Sequence, residues 1–378
     1  MDNFTEHIEE NQKYFLVIYI TKDCNLKCKY CIQSFKTKQK MSFDTMQNIL
    51  LKEIPKAESL GKKVYLRFMG GEPLTNYSLI KETCEWLWNT YPNKDIDISL
   101  RTNGTLLNEE MRMWFTDNAN KLSCGPSLDG IPEVNKINRG LSKDVKDFFM
   151  KNWPTYGAHG TLFPDSVQYL YDSVMYFEKM NYPFDIKIGL GTLWDDEHAA
   201  ILEKQMGQLC KYYVENLDVS PVAVFFKDLT HFGEEVKDPD FNCLDNHGGG
   251  VYDVDGTQYS CEVLMPLVHG DKISKEINSL KRLPRRYATN TECRNCPFLA
   301  SCPTCPSMNL KYTGDYNKSA TLLTTCKATK VQFKMSAYLT ILRYEKYMEI
   351  GESIPADIEE NIYSSMEILN YMSSDVSK

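Results

Sequence analysis

As far as about residue 215, short β-branched or aromatic runs alternate with stretches of helical periodicity. The strand candidates are YFLVIYIT at 14–21, KVYLRF at 63–68, DIDISLRT at 95–102, KLSCGPSL at 121–128 and DIKIGLG at 185–191. A weaker one, AHGTLF, lies at 158–163. Helical periodicity falls between them at 42–54, with Ser42 as N-cap, and at 76–91, 165–180 and 197–217. Six β-then-α units of this kind predict an α/β fold, a parallel sheet with its helices outside. Six are too few for a complete eight-fold barrel, so the expectation is an open, partial (β/α)6 barrel of TIM type. In such barrels the chemistry sits on loops at the C-terminal ends of the strands.

Those loops carry four polar signatures. CNLKCKYC at 24–31 follows the first strand and puts Cys24, Cys28 and Cys31 on one loop. GGEP at 70–73, TNG at 102–104 and SLDG at 127–130 follow the next three. Three nearby thiolates can bind zinc, form a disulfide or hold an iron–sulfur cluster one ligand short. Zinc prefers four protein ligands, and the next cysteine, Cys84, falls in a helical stretch. Three ligands on one loop suit a 4Fe–4S cube with one iron open to a small molecule. Taken singly, Gly-Gly and Glu-Pro are also ordinary loop punctuation, and TNG a plain turn.

The chain has 378 residues, 42% of them hydrophobic, enough for a large core. Its net charge of −8 argues against an obligate nucleic-acid binder, which would show a basic stripe. There is no signal-peptide pattern and no apolar run long enough to span a bilayer. The expected location is therefore cytoplasmic, where thiols stay reduced, and thirteen cysteines point to metal or redox chemistry.

The β–α alternation stops near residue 220. Between there and residue 326 lie seven cysteines: Cys243, Cys261, Cys293, Cys296, Cys302, Cys305 and Cys326. CRNC at 293–296 and CPTC at 302–305 look like two zinc-ribbon knuckles, but a ribbon leaves the other three cysteines without a role. VYDVDGTQYS at 251–260 reads as a hairpin turning at Asp255-Gly256. Helical periodicity returns at 327–350 and 356–372. The expected domains are a barrel over 1–225, a cysteine-rich module over 226–330 and C-terminal helices over 331–378. Cys84, Cys124 and Cys210 read as small buried apolar residues.

CNLKCKYC resembles the CxxxCxΦC signature of the radical S-adenosylmethionine (SAM) superfamily, in which Φ is aromatic. The resemblance implies an enzyme whose first 4Fe–4S cluster, on Cys24, Cys28 and Cys31, chelates SAM through its open iron and cleaves it to a 5′-deoxyadenosyl radical. It places Tyr30 against the adenine. GGEP resembles the family's GGE motif, so Gly70 and Gly71 are expected to bring backbone to the methionine moiety and Glu72 to meet its ammonium. SLDG and Arg139, twelve residues beyond Ser127, are similar to the pair that fixes ribose and carboxylate in sulfatase maturases. TNG, with Asn103, is similar to the strand-end TNG of the same enzymes.

The second cysteine field is similar to the SPASM domain, a C-terminal module of radical SAM enzymes with two auxiliary 4Fe–4S clusters. The resemblance implies one cluster on Cys293, Cys296, Cys302 and Cys326 and another on Cys243, Cys261 and Cys305. The family's usual ending has one residue more between the positions of Cys302 and Cys305. Sulfatase maturases carry an eighth cysteine before the position of Cys243, and EVKDPDFN at 235–242 has none. The second auxiliary cluster is therefore expected to keep an open iron or to borrow Asp238, Asp240 or His231. An aspartate follows the Gx4C cysteine in those enzymes; here Glu262 takes its place and is the candidate base.

What the resemblance implies is oxidative modification of a peptide: maturation of a ribosomal peptide by thioether or carbon–carbon crosslinks. The alternative is a sulfatase maturase that forms formylglycine. An alternative of another class is a non-catalytic Fe–S or zinc scaffold. The first strand begins near residue 14, so leader recognition is expected to fall to a separate protein or to the barrel mouth. A reductant such as flavodoxin or ferredoxin is the other expected partner, with no nucleic acid and no membrane.

Overall fold

The computed structural model describes residues 13–235, 249–279, 291–302, 304–316 and 318–374. Six strands and the helices that follow them run through the first part of the chain. In order these are β1 (Lys13–Thr21), α1 (Phe43–Ser59), β2 (Lys63–Gly70), α2 (Tyr77–Thr90), β3 (Ile96–Thr102) and α3 (Glu109–Asp117). Then come β4 (Ser123–Pro126), α4 (Pro132–Arg139), α5 (Lys146–Asn152), β5 (Ala158–Leu162), α6 (Leu170–Lys179), β6 (Phe184–Ile188) and α7 (Asp196–Glu215). The later elements are the hairpin β7 (Gly250–Tyr252) and β8 (Gln258–Tyr259), and helices α8 (Pro306–Thr313), α9 (Cys326–Ile350) and α10 (Ala356–Ser374).

The chain forms two compact units that cut across chain order. One comprises Met1–Leu128, Lys143–Ala158 and Asn242–Arg282; the other comprises Asp129–Ser142, His159–Phe241 and Leu283–Lys378.

The first unit is built on a sheet of order β4-β3-β2-β1-β7-β8. β1 to β4 are parallel neighbours, so Thr21, Gly70, Thr102 and Pro126 end at one edge. Alternate β1 residues Tyr14, Leu16, Ile18 and Ile20 are fully buried, as are Leu66, Phe68 and Leu100 of its neighbours. Helix α1 starts at Ser42, whose hydroxyl caps Thr45 N. It runs on through Pro55, beyond the expected end at 54, because Ile54 and Ala57 continue its buried face.

The expected hairpin forms with its turn at Asp255-Gly256, where Gly256 has φ 83°. Its first strand does something the sequence pattern does not announce: β7 pairs in parallel with β1, Leu16 to Gly250 through Ile18 to Tyr252. Gly249 permits this approach, since a Cβ there would stand 1.8 Å from the Phe15 carbonyl.

In the second unit β5 and β6 pair with each other in a separate two-stranded sheet. The six expected strands are thus hydrogen-bonded as four plus two, rather than as one run of six. Leu202, Met206, Leu209 and Tyr213 of α7 share a core with Ala328, Val331, Met335 and Leu339 of α9. A smaller core gathers Leu229, Phe298, Phe333, Ala337 and Ile368, so α9 and α10 also cover the cysteine-rich stretch around Phe298. Among the described residues no helix is long and apolar enough to cross a membrane.

Candidate active site and cluster ligands

The loop after β1 carries Cys24, Cys28 and Cys31, all half-buried. Cys31 N donates to Cys28 O at 3.1 Å, which folds the CKYC stretch into a turn. Leu26 N points at Cys24 Sγ from 3.5 Å. Burial raises the Cys24 thiol above its ordinary value; the Leu26 N–H and the Lys36 charge pull against this, while Glu72 and Cys31 push with it. Cys24 and Cys31 therefore lie within each other's field. At the base of the loop, Lys22 Nζ stands 2.8 Å from Asp253 Oδ2, and both side chains are buried. Tyr30 is half-buried on the same loop.

Gly70 and Gly71 are needed by this loop itself. A Cβ at Gly70 would meet the Thr21 carbonyl at 2.6 Å, and one at Gly71 the Asp23 carbonyl at 2.5 Å. Gly71 N donates to Thr21 O and Glu72 N to Asp23 O, at 3.2 and 2.8 Å. The space that each glycine leaves is filled by the chain's own cysteine loop.

Glu72 is 2% exposed and bridges strand ends. Its Oε1 accepts from Leu74 N at 3.0 Å and from Thr102 Oγ1 at 2.5 Å, and its Oε2 from Asn103 N at 2.8 Å. Asn103 Nδ2 then donates to Asn25 Oδ1 at 3.0 Å, while Asn103 Oδ1 accepts from Thr105 N at 2.9 Å. Asn25 Nδ2 closes the ring on Thr105 Oγ1 at 2.7 Å. Three strand-end loops are tied together through these side chains. Ser127 N adds the fourth by donating to Thr102 O at 2.7 Å. Asn25 and Thr105 escaped the sequence reading, although Asn25 lies inside CNLKCKYC and Thr105 directly follows TNG.

In the second unit Arg139 is buried and pairs with Asp129, Nη2 to Oδ1 at 2.7 Å. Asp129 also accepts from Thr161 N at 2.8 Å. Asn138 Nδ2 donates to its other oxygen at 3.3 Å. The Asp of SLDG thus holds Arg139 at the end of α4.

Cys261 and Glu262 follow the hairpin in the first unit. Tyr19 of β1 donates its hydroxyl to Glu262 Oε2 at 3.3 Å. Burial raises the Tyr19 phenol well above its usual value, and the neighbouring Glu262 and Cys261 add to this. Cys243, Asp238 and Asp240 lie outside the described residues. His231 sits between Asp228 and Glu234 on an exposed turn.

In the second unit Cys302 lies within the electrostatic reach of Cys293, Cys296 and Cys326. Burial pushes the Cys302 thiol up to about 12, with Cys326, Cys296 and Cys293 adding to the rise. Cys326 is raised by burial and by Cys296 and Cys293 in turn. These are the four cysteines that the interleaved pattern assigns to one site. Cys305 lines a cavity in the same unit. Among the described residues no three His, Cys, Asp or Glu side chains stand in metal-holding geometry. Cys84, Cys124 and Cys210 are fully buried with thiols raised by burial, as expected of packing residues. Trp153 is likewise a core residue, its indole donating to Leu122 O at 2.7 Å.

Residues 18–143 match the profile of the Radical SAM superfamily. They are a radical SAM domain. The chain is similar to the cysteine-type anaerobic sulfatase-maturating enzyme of Clostridium perfringens, 32% identical over 31% of this chain and 32% of that one. The first curated relatives it matches are spanned over only about a third to two-fifths of their length. The serine-type anaerobic sulfatase-maturating enzyme of Bacteroides thetaiotaomicron is 23% identical over 91% of this chain and 94% of its own. Among solved structures, anSMEcpe with bound AdoMet superposes with a TM-score of 0.63 at 17% identity, covering 93% of this chain and 98% of that one. Streptococcus suis SuiB bound to its precursor peptide SuiA gives 0.53 at 16% identity, over 84% and 77%. The fold is that of the radical SAM enzymes, and many of the cysteines lie in the C-terminal part of the chain.

The residues present fit the groups that such a fold implies. Three thiols on a loop braced from β2 and β3 form a donor set of the right chemistry for a cluster with an open iron. Four mutually sensed thiols suit a fully ligated cube.

Proposed function

We propose that this chain is a cytoplasmic radical SAM enzyme that oxidatively modifies a peptide, forming a thioether or carbon–carbon crosslink in a ribosomally made precursor. The observation that carries the reading is the brace of Glu72, Asn103 and Asn25 around the cysteine loop, which holds three thiols at the strand ends. On this reading Cys24, Cys28 and Cys31 hold a SAM-binding cluster. Cys293, Cys296, Cys302 and Cys326 hold one auxiliary cluster, and Cys243, Cys261 and Cys305 the other. Bound there, SAM supplies hydrogen abstraction and the auxiliary clusters an exit for electrons. Tyr30 packs on the adenine, and Gly70, Gly71 and Asn103 shape the wall. Glu72 meets the SAM ammonium, and Ser127 and Arg139 receive ribose and carboxylate. Glu262 takes the proton that leaves the substrate thiol or hydroxyl. The functional division follows 1–225, 226–330 and 331–378. A small electron-transfer protein reduces the clusters, and a separate protein presents the leader.

A second reading, formylglycine formation in a sulfatase, is favoured by the alignment with the serine-type maturase along 91% of this chain. Anaerobic incubation with SAM and dithionite tests both. Wild-type protein yields 5′-deoxyadenosine and Cys28→Ala does not; no yield from iron-loaded wild type removes the reading. Conversion of a sulfatase-derived Cys or Ser peptide would select the second.

A further inference from the structure

The second unit holds a cavity of about 290 Å³ beyond the end of β6, walled by residues 187–191, by 223–227 and by the starts of α8 and α9. Its wall is built for close packing. Gly191 has φ 70°, and a Cβ there would meet the Tyr312 ring at 2.2 Å. At the lip Leu190 and Phe226 are 46% and 53% exposed.

The polar lining is cationic and hydroxylic. Lys227 is half-buried there, its Nζ 5.8 Å from the centre of the Phe333 ring. Among the described residues no carboxylate pairs with it, and the charged group whose field reaches it is Cys302. Lys187 also lines the cavity, but it is mostly exposed and already stands 3.6 Å from Asp185. Thr325 and Thr329 contribute hydroxyls. In a chain of net charge −8 this is a local reversal of sign.

Size and charge narrow the occupant. Sites for drug-sized ligands run from roughly 300 to 1,000 Å³, so this one lies at their small end and has room for one side chain of a peptide. A phosphate group would ask for a cluster of guanidinium groups. One committed ammonium with hydroxyl donors suits a single carboxylate.

We infer that this cavity binds an Asp or Glu side chain of the substrate peptide, with Lys227 as its counter-ion and Leu190 and Phe226 covering the flanking residues. The inference rests on the peptide-modifying reading and names a specificity determinant within it. Charge-assisted hydrogen bonds of this kind discriminate by roughly tenfold or more.

The test uses iron-loaded, SAM-saturated protein under anaerobic conditions and a library of acetylated, amidated random hexapeptides. Wild type is expected to retain Asp and Glu over Asn and Gln by about tenfold. Lys227→Met loses that preference, Lys227→Arg keeps most of it, and Thr329→Val weakens it. Iron content and melting temperature identify a misfolded variant; if Lys227→Met is one, the Thr329→Val comparison decides. Equal retention of acids and amides by wild type overturns the inference. So does an acid preference that survives Lys227→Met while the midpoint potential of a bound cluster moves, since Lys227 would then be the cluster's counter-charge. Production of 5′-deoxyadenosine by the same wild-type preparation is scored separately. Acid preference without that product leaves the pocket standing and removes the reaction.

Discussion

Asn103 Nδ2 donates to Asn25 Oδ1 at 3.0 Å and so joins the loop after β3 to the cysteine loop after β1. Asn103 is 5% exposed, and its backbone N–H is spent on Glu72, so both of its ends are committed to neighbouring strand ends. Asn25 gains a second anchor on Thr105. The cysteine loop is thereby held by side chains as well as by its own turn.

That arrangement predicts coupling. Asn103→Ala should cost about 1–3 kcal/mol, because it strands the Asn25 amide and the Thr105 N–H. Asn25→Ala should cost less, being more exposed. In a double-mutant cycle followed by denaturant melts, the pair should be non-additive by at least ~0.5 kcal/mol. Simple additivity would mean that the two loops are positioned independently.

Gly71→Ala sets a Cβ 2.5 Å from the Asp23 carbonyl, backbone against backbone, with no flexible side chain to yield. The loop must shift, at a cost of about 1–3 kcal/mol, and the three thiols shift with it. Reconstituted Gly71→Ala protein should therefore bind less iron than wild type. Gly207→Ala is the contrast: it lies inside α7 with only Met335 Cε nearby, at 3.9 Å. Removing a helical glycine there should stabilise the fold by up to ~1 kcal/mol and leave the iron content unchanged.

The strands, the helices after β1, β2, β5 and β6 and the hairpin were legible because each carries its own period or turn. What escaped is non-local. Nothing in VYDVDGTQYS announces that its first strand will lie parallel to β1, since that pairing depends on the Gly249 contact with Phe15. The short helices α3, α4 and α5 were missed because seven to nine residues hold too few turns for a clear period. The motif residues around the first site were legible as strand-end loops. Their partners Asn25 and Thr105 were not, because an Asn or Thr in a loop is ordinary until its acceptor is known.

Lys22 and Asp253 form a buried ion pair at 2.8 Å between the base of the cysteine loop and the hairpin. Removing one partner leaves an uncompensated buried charge, at a cost of about 3–5 kcal/mol. Lys22→Met and Asp253→Asn should each show a loss of that order in denaturant melts. The double variant should lose less than either single change, as apolar replacement of a buried pair often is nearly neutral. If the double variant falls by the sum, the two side chains are energetically uncoupled and the ion pair contributes nothing of its own.

Glu53 of α1 is fully buried and accepts from Tyr14 at 2.5 Å. Burial alone would raise its pKa, but the Tyr14 hydrogen bond, the nearby Tyr252 hydroxyl and the Lys52 and Lys56 ammoniums outweigh it, so the net shift is downward. A carboxylate with a depressed folded pKa stabilises fully above its unfolded value of about 4.3. That contribution is lost as pH falls through the lower folded value. Tyr14→Phe should then cost about 1.5–3 kcal/mol at neutral pH. The gap to wild type should narrow only below about pH 4. A gap that stays constant down to acid unfolding would show that the phenol, and not the charge it serves, is what matters.

Cys302 shares its field with Cys326, Cys296 and Cys293, and burial has raised its thiol to about 12. A metal centre needs all four thiols deprotonated, and a bound cluster would offset the rise that burial and the neighbouring sulfurs impose. Cys302→Ala should accordingly remove about four irons per chain, the content of one cube, and Cys293→Ala should remove the same four. The first site belongs to the other unit, so 5′-deoxyadenosine should still form in both variants when dithionite bypasses the auxiliary clusters. If each variant lost a different quantity of iron, or if Cys302→Ala lost none, the four thiols would not share one centre, and the interleaved assignment of Cys326 with Cys293 would have to be abandoned.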